Sequence, residues 1–199
     1  MNRRNLLKLS AASAALQMVP GFVFAQGGMF RVGSLCPVTG AGSPYGPGMQ
    51  QAIRMAVDEV NAAGGLKIGD KTYKPKFVMF DDQYTAAGGR LAADRLINNE
   101  KIKFIIGPIG SPSVLGAVAV TTPAKVLLLS NGFAPAILKN DAKSPYNFRA
   151  MNSTVEFGPA MVKWYRENFP NVKKVALIAP NDAVGQAVVP QLEQYYRDN

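Results

Sequence analysis

The chain has 199 residues, 48% hydrophobic and 18% charged, a composition that supports a packed core rather than a disordered chain. With no histidine and a single cysteine, Cys36, it has no Ser/His/Asp or Cys/His catalytic group, no His-ligated or Cys-rich metal site and no internal disulfide. The net charge of +9 does not point to nucleic acid, because Lys71, Lys74, Lys76 and Lys173-Lys174 sit at turns and strand ends without alternating aromatic residues.

The first 25 residues read as a secretory signal peptide: Arg3, Arg4 and Lys8 precede an almost uncharged apolar run from Leu9 to Ala25, with Val23-Phe24-Ala25 as the cleavage site. The mature chain then starts at Gln26 and keeps a net charge of +6. Arg3-Arg4-Asn5-Leu6-Leu7-Lys8 fits a Sec leader and a twin-arginine leader equally. The apolar run is short and broken by Gln17 and Pro20-Gly21, so no stable membrane anchor is expected. Cys36 follows Leu35 but lies past the cleavage site and inside a strand, which argues against lipid attachment. These features predict an exported, soluble, periplasmic protein.

Beyond the leader, apolar runs alternate with amphipathic stretches. Phe30 to Leu35, Lys76 to Phe80, Ile102 to Ile106, Val126 to Leu129 and Val175 to Ala179 are apolar at nearly every position, the pattern of parallel strands buried on both faces. The first helix is expected from Pro47, with Ile53, Ala56, Val57 and Val60 on one stripe, ending at Asn61 to Gly65. The second runs from Ala86 to Asn99, with Ala92, Ala93, Leu96 and Ile97 inward and Arg90, Asp94 and Arg95 outward. Further helices are expected at Ser113 to Val120, Glu156 to Asn168 and Val184 to Tyr196, with Ile68-Gly69-Asp70-Lys71 as a turn between short extended segments. This order predicts an α/β fold with an open, doubly wound sheet, whose ligands bind beyond the carboxyl ends of the strands.

Four loops lie at that edge: Pro37 to Pro47, Asp81 to Tyr84, Gly107 to Ser113 and Ser130 to Pro135. The first reads GxGxxxG over Gly40 to Gly46, one residue longer than the dinucleotide fingerprint. The acidic pair Asp81-Asp82 falls about twice as far along as the ribose-binding position of that motif, and no Walker loop is present. In the third loop, Ser111 and Ser113 open a helix, where backbone N–H groups and a hydroxyl suit a carboxylate; either serine could equally cap its own helix. The neighbouring loop, Ser130-Asn131-Gly132-Phe133-Ala134-Pro135, leaves an adjacent parallel strand at the same edge and favours the ligand reading, so that two loops face one cleft. Asp81 and Asp82 are expected to stabilise a turn or cap a helix rather than to touch ligand.

The segments FRVGSLCPVTGAGSPYG, AVDEVNAAGGL, FVMFDDQY, FIIGPIGSPSV, LLSNGFAP and KKVALIAPNDAVGQ resemble, in this order, the leucine/isoleucine/valine-type periplasmic binding proteins, the type I solute receptors of ABC importers. The resemblance implies two doubly wound lobes that close on a small ligand without cofactor or covalent chemistry, and an ABC permease as partner. By position, it makes Ser111 the serine that bonds the ligand carboxylate. Asn131, Gly132 and Phe133 fall in the loop that grips the same head group, and Tyr45 is the aromatic covering the ligand. It divides the chain into the leader, a first lobe over residues 26–150 with its crossover at Tyr146 to Asn152, and the start of a second lobe over 151–199. That second lobe is expected to be incomplete, to expose apolar surface and to lack the acidic partner of a ligand ammonium. Two positions depart from the branched-chain receptors: Phe133 replaces a small hydroxyl residue and Val184 replaces an aromatic, so an amino acid, an aromatic acid or an amide is admissible. The expected function is a periplasmic receptor for a small amino acid or related carboxylate or amide, not an enzyme. A sensor of the same fold and an NAD-binding Rossmann enzyme are the alternatives.

Overall fold

The computed structural model describes residues 29–138 and 145–198, so the leader expected at residues 1–25 lies outside the described residues. Strand β1 (Met29–Cys36) leads through helix α1 (Gly46–Ala62) to a hairpin of β2 (Leu66–Ile68) and β3 (Lys71–Asp81). Helix α2 (Ala86–Asn98), β4 (Phe104–Ile109), α3 (Ser111–Thr121) and β5 (Leu127–Asn131) follow, then a 3-10 turn at Pro135–Ile137, β6 (Asn147–Arg149), α4 (Thr154–Asn168) and α5 (Ala183–Asp198). The six strands form one sheet in the order β2-β3-β1-β4-β5-β6. Every pairing is parallel except β2 with β3, where Gly69 takes φ +58° in the turn. This is the doubly wound, mostly parallel sheet that the alternation of elements predicts.

Side-by-side partners in a parallel ladder share a face, so the register sorts the sheet into two sides. Leu35, Val78, Phe80, Ile105 and Leu128 meet Ala92, Ala93, Leu96 and Ile97 of α2 and Ala117 of α3 in one continuous core. The inward set expected for α2 is the buried set, because a helix flanked by apolar strands must present its apolar stripe to them. The opposite side is covered unevenly. Helix α1 packs on β3 and β1, whereas Phe104, Leu129 and Phe148 on β4, β5 and β6 stay exposed. Of the stripe expected for α1, Ile53 is buried, Val57 and Val60 are half-buried and Ala56 is exposed.

Helices α2 and α3 cross at backbone contact. A Cβ on Gly89 would run into the Ser113 carbonyl, and one on Gly116 into the Ala86 carbonyl. This close crossing seats the start of α3, and hence its serines, against the start of α2.

Residues 172–180 form no strand, which corrects the expected strand at Val175 to Ala179. No described strand lies beside this segment, so it has neither a ladder to close its backbone hydrogen bonds nor a face to bury. Ile178 is accordingly 98% exposed and Val175 is 53% exposed. Helices α4 and α5 do pack together, through Gly158 against Tyr195 and a 3.0 Å hydrogen bond from Thr154 Oγ1 to Gln191 Oε1.

Gly116→Ala is expected to destabilise the protein, although alanine exceeds glycine in helix propensity by about 1 kcal/mol. The added methyl meets a carbonyl of the facing helix. Urea unfolding that showed Gly116→Ala to be as stable as wild type or more so would disprove the close crossing.

Candidate functional site: the carboxyl edge of the sheet

The loops that follow β1, β3, β4 and β5 converge at one edge, and two adjacent aspartates at the end of β3 join three of them. Asp81 accepts hydrogen bonds from the amides of Val38 (2.9 Å), Thr39 (3.3 Å) and Gln83 (2.9 Å) through Oδ1, and from Thr39 Oγ1 (2.5 Å) through Oδ2. Partial burial alone would raise its pKa, but the Thr39 hydroxyl and these amides outweigh it and hold the carboxyl below its ordinary value. Asp82 is fully buried, and its Oδ1 accepts from Ser113 Oγ and from the Tyr84 amide, both at 2.8 Å. Its Oδ2 is buried without a hydrogen-bond partner. Burial pushes the Asp82 carboxyl up in pKa against the Ser113 and Tyr84 hydrogen bonds, and neighbouring Asp81 adds to the rise. The thiol of Cys36 beneath it is raised as well, first by burial, and its Sγ lies 3.2 Å from Ser34 Oγ. Both aspartates are thus internal ties, as their turn and cap reading expects.

The two predicted ligand loops are joined directly. Gly110 donates its N–H to the Asn131 carbonyl at 2.8 Å, and Ser111 Oγ accepts from the Ala134 amide at 3.0 Å. Ser111 and Ser113 are both fully buried, so in this structure each hydroxyl serves the framework: Ser111 holds the β5 loop and Ser113 holds Asp82. Gly132 is buried, and a Cβ there would press on Ile137 and approach Ser111 Oγ to 3.3 Å. Asn131 is half-buried. Phe133 is 41% exposed, its ring edge-on to Phe157 of α4 at 6.2 Å between centroids. Tyr45, at the start of α1, is 59% exposed. All six predicted residues therefore gather at one edge of the sheet, four as framework and two as exposed rings.

One further ring at this edge was not singled out from the sequence. Tyr84 is half-buried, with its ring against the backbones of Gly42 and Gly110. Gln83 and Tyr84 both take positive φ, +55° and +57°, a left-handed pair that nothing in the string Asp-Asp-Gln-Tyr announces. A cavity of ≈ 580 Å³ is lined by Val38, Asp81 and Gln83 of these loops together with Phe80, Leu91 and Arg95, another of ≈ 650 Å³ lies between α2 and α3, and neither touches Ser111, Asn131 or Phe133. Among the described residues no group of three or more Cys, Asp or Glu side chains is placed to hold a metal ion. The edge offers hydrogen bonds, a helix start and aromatic faces to a small molecule.

Because the folded-state pKa of Asp82 lies above its unfolded value, its ionisation weakens folding as pH rises from about 4 through that raised pKa. Asp82→Asn keeps an Oδ1 acceptor for Ser113 and Tyr84 and removes the charge. The stability difference between wild type and Asp82→Asn is expected to shift steadily in favour of the variant over that interval, read as melting temperature against pH. A difference independent of pH would show that Asp82 ionises freely.

The sequence profile of the periplasmic binding protein family matches residues 30–199. A Leu/Ile/Val-binding protein of Rhizobium johnstonii is 25% identical over 158 residues, covering 79% of this chain and 41% of its own length. The leucine-, isoleucine-, valine-, threonine- and alanine-binding protein of Pseudomonas aeruginosa is 24% identical over 163 residues, 81% of this chain and 42% of that one. Among solved structures, the branched-chain amino acid transporter substrate-binding protein LivJ of Streptococcus pneumoniae, in complex with isoleucine, superposes with a TM-score of 0.74 at 26% identity. That match covers 85% of this chain and 47% of LivJ. The chain thus spans less than half the length of these relatives, and its topology and the match over residues 30–199 agree. The chain belongs to the periplasmic binding protein family, with the type I fold and part of a second lobe.

Proposed function

We propose that this chain carries the first lobe, residues 26–150, and the beginning of the second, residues 151–199, of a periplasmic solute receptor. It binds a small amino acid or a related carboxylate or amide and delivers it to an ABC importer. The observation that carries this reading is the direct joining of two neighbouring strand-end loops by Ser111 Oγ and the Ala134 amide at the start of α3. That join puts the first backbone N–H groups of a helix, where a carboxylate is favoured, beside the exposed ring of Phe133 and on the edge that also carries Tyr45. The relatives named above, which bind leucine, isoleucine, valine, threonine or alanine, support an amino-acid-like ligand.

In this reading Ser111 and Ser113 hold the helix start that takes the head group, Asn131, Gly132 and Phe133 form its far side, and Tyr45 covers it. No covalent step is involved: affinity comes from hydrogen bonds to the head group and burial of the side chain, and closure follows because a ligand that touches both lobes favours the closed arrangement. The receptor reaches the periplasm through the leader at residues 1–25, removed after Ala25.

Titration of the purified protein with L-leucine, L-phenylalanine and benzoate by calorimetry tests the assignment. At least one is expected to bind, and Ser111→Ala is expected to weaken that binding by about tenfold, because it releases the Ala134 amide and with it the loop that frames the cleft. If none of these probes binds, or if Ser111→Ala binds as wild type does, the site is elsewhere.

A further inference from the structure

We infer that Tyr84 is a specificity-determining residue of this cleft, its ring forming with Tyr45 and Phe133 an aromatic wall that selects a planar aromatic carboxylate over a branched aliphatic one. The inference rests on the reading that the cleft binds a carboxylate ligand. It starts from the way Tyr84 is seated. The ring lies where a Cβ on Gly42, in the first loop, or on Gly110, just before α3, would collide with it, so two loops leave out a side chain to admit it. Its amide is held by buried Asp82 Oδ1 at 2.8 Å, and both it and Gln83 keep left-handed backbones that a tyrosine adopts only when its surroundings impose them.

That seat places the ring beside Ser111. Gly110 immediately precedes Ser111 and is fastened to Asn131 by the 2.8 Å backbone bond, and Phe133 follows two residues later in the chain. Tyr84 and Phe133 therefore border the same helix start from the two loops on either side. The Tyr84 phenol is pushed up in pKa first by burial, and Asp182, just before α5, together with Tyr45 and Asp82 adds to the rise. Half-buried, it keeps part of its surface open at the edge where Tyr45 and Phe133 are also exposed. Three rings from three loops suit a flat ring, which can stack or pack edge-on against them, better than a branched chain with no aromatic face.

The test compares 4-hydroxybenzoate with L-leucine as probes, by calorimetry on wild type, Tyr84→Asn, Tyr84→Phe and Ser111→Ala. Asparagine tolerates the left-handed backbone and removes the ring, whereas phenylalanine keeps the ring. Wild type is expected to bind 4-hydroxybenzoate about tenfold more tightly than L-leucine, with Tyr84→Asn losing about tenfold for the aromatic probe and less than about twofold for L-leucine. Tyr84→Phe is expected to stay within about threefold of wild type for both. A wild-type preference for L-leucine, or a Tyr84→Asn variant that weakens both probes equally or neither, overturns the role of Tyr84. If Ser111→Ala weakens both probes while Tyr84→Asn spares both, the cleft stands and the specificity role falls; if neither probe binds wild type, the cleft reading fails and takes this one with it. Should Tyr84→Asn not fold, nuclear Overhauser contacts between the Tyr84 ring and bound 4-hydroxybenzoate in wild type decide the matter, and their absence overturns the inference.

Discussion

The buried carboxyl of Asp82 is the tie on which the carboxyl edge of the sheet depends. Through one oxygen it holds the first turn of α3, by the Ser113 hydroxyl, and the turn into α2, by the Tyr84 amide. Asp81, one residue earlier, fastens the loop after β1, and Ser111 fastens the loop after β5. Four separate loops thereby become one surface. The arrangement is costly, since a carboxyl without access to water is raised in pKa, but replacing it by an apolar side chain would leave the Ser113 hydroxyl and the Tyr84 amide unsatisfied.

Packing beneath that edge is uneven. On the side of α2 and α3 the core is continuous and the two helices meet at glycines, leaving little room for the start of α3 to move. On the other side, Phe104, Leu129 and Phe148 are exposed on the sheet. Beyond β6, Trp164, Tyr165 and Phe169 cluster on one another at the surface.

The chemistry of the edge is largely committed to the fold. Its acidic groups are spent on the fold, its serines are buried hydrogen-bonding partners, its only thiol is buried with a raised pKa, and its exposed features are aromatic faces and a helix start. Under the proposed receptor reading, the helix start would take an anionic head group and the rings an adjoining apolar or aromatic body.

The sequence by itself determined the alternation of apolar runs and helices, and with it the parallel sheet, the edge where the strand-end loops gather and the loops that carry Ser111, Asn131 and Phe133. Those features depend on local composition and period, which a string of residues displays directly. It overstated the segment around Val175 and Ile178, whose β-forming composition had no neighbouring strand to pair with. Only the tertiary structure decided that Ser111 and Ser113 are internal ties and that Asp82 is a buried hub. The place of Tyr84 is likewise tertiary, because it depends on Gly42, Gly110 and Asp82, which are far apart in the chain and meet only when the strands align. A hydrogen bond or ring contact between distant loops leaves no periodic trace, and a positive φ at tyrosine runs against its local preference, so these features became visible only once the fold had set the distances.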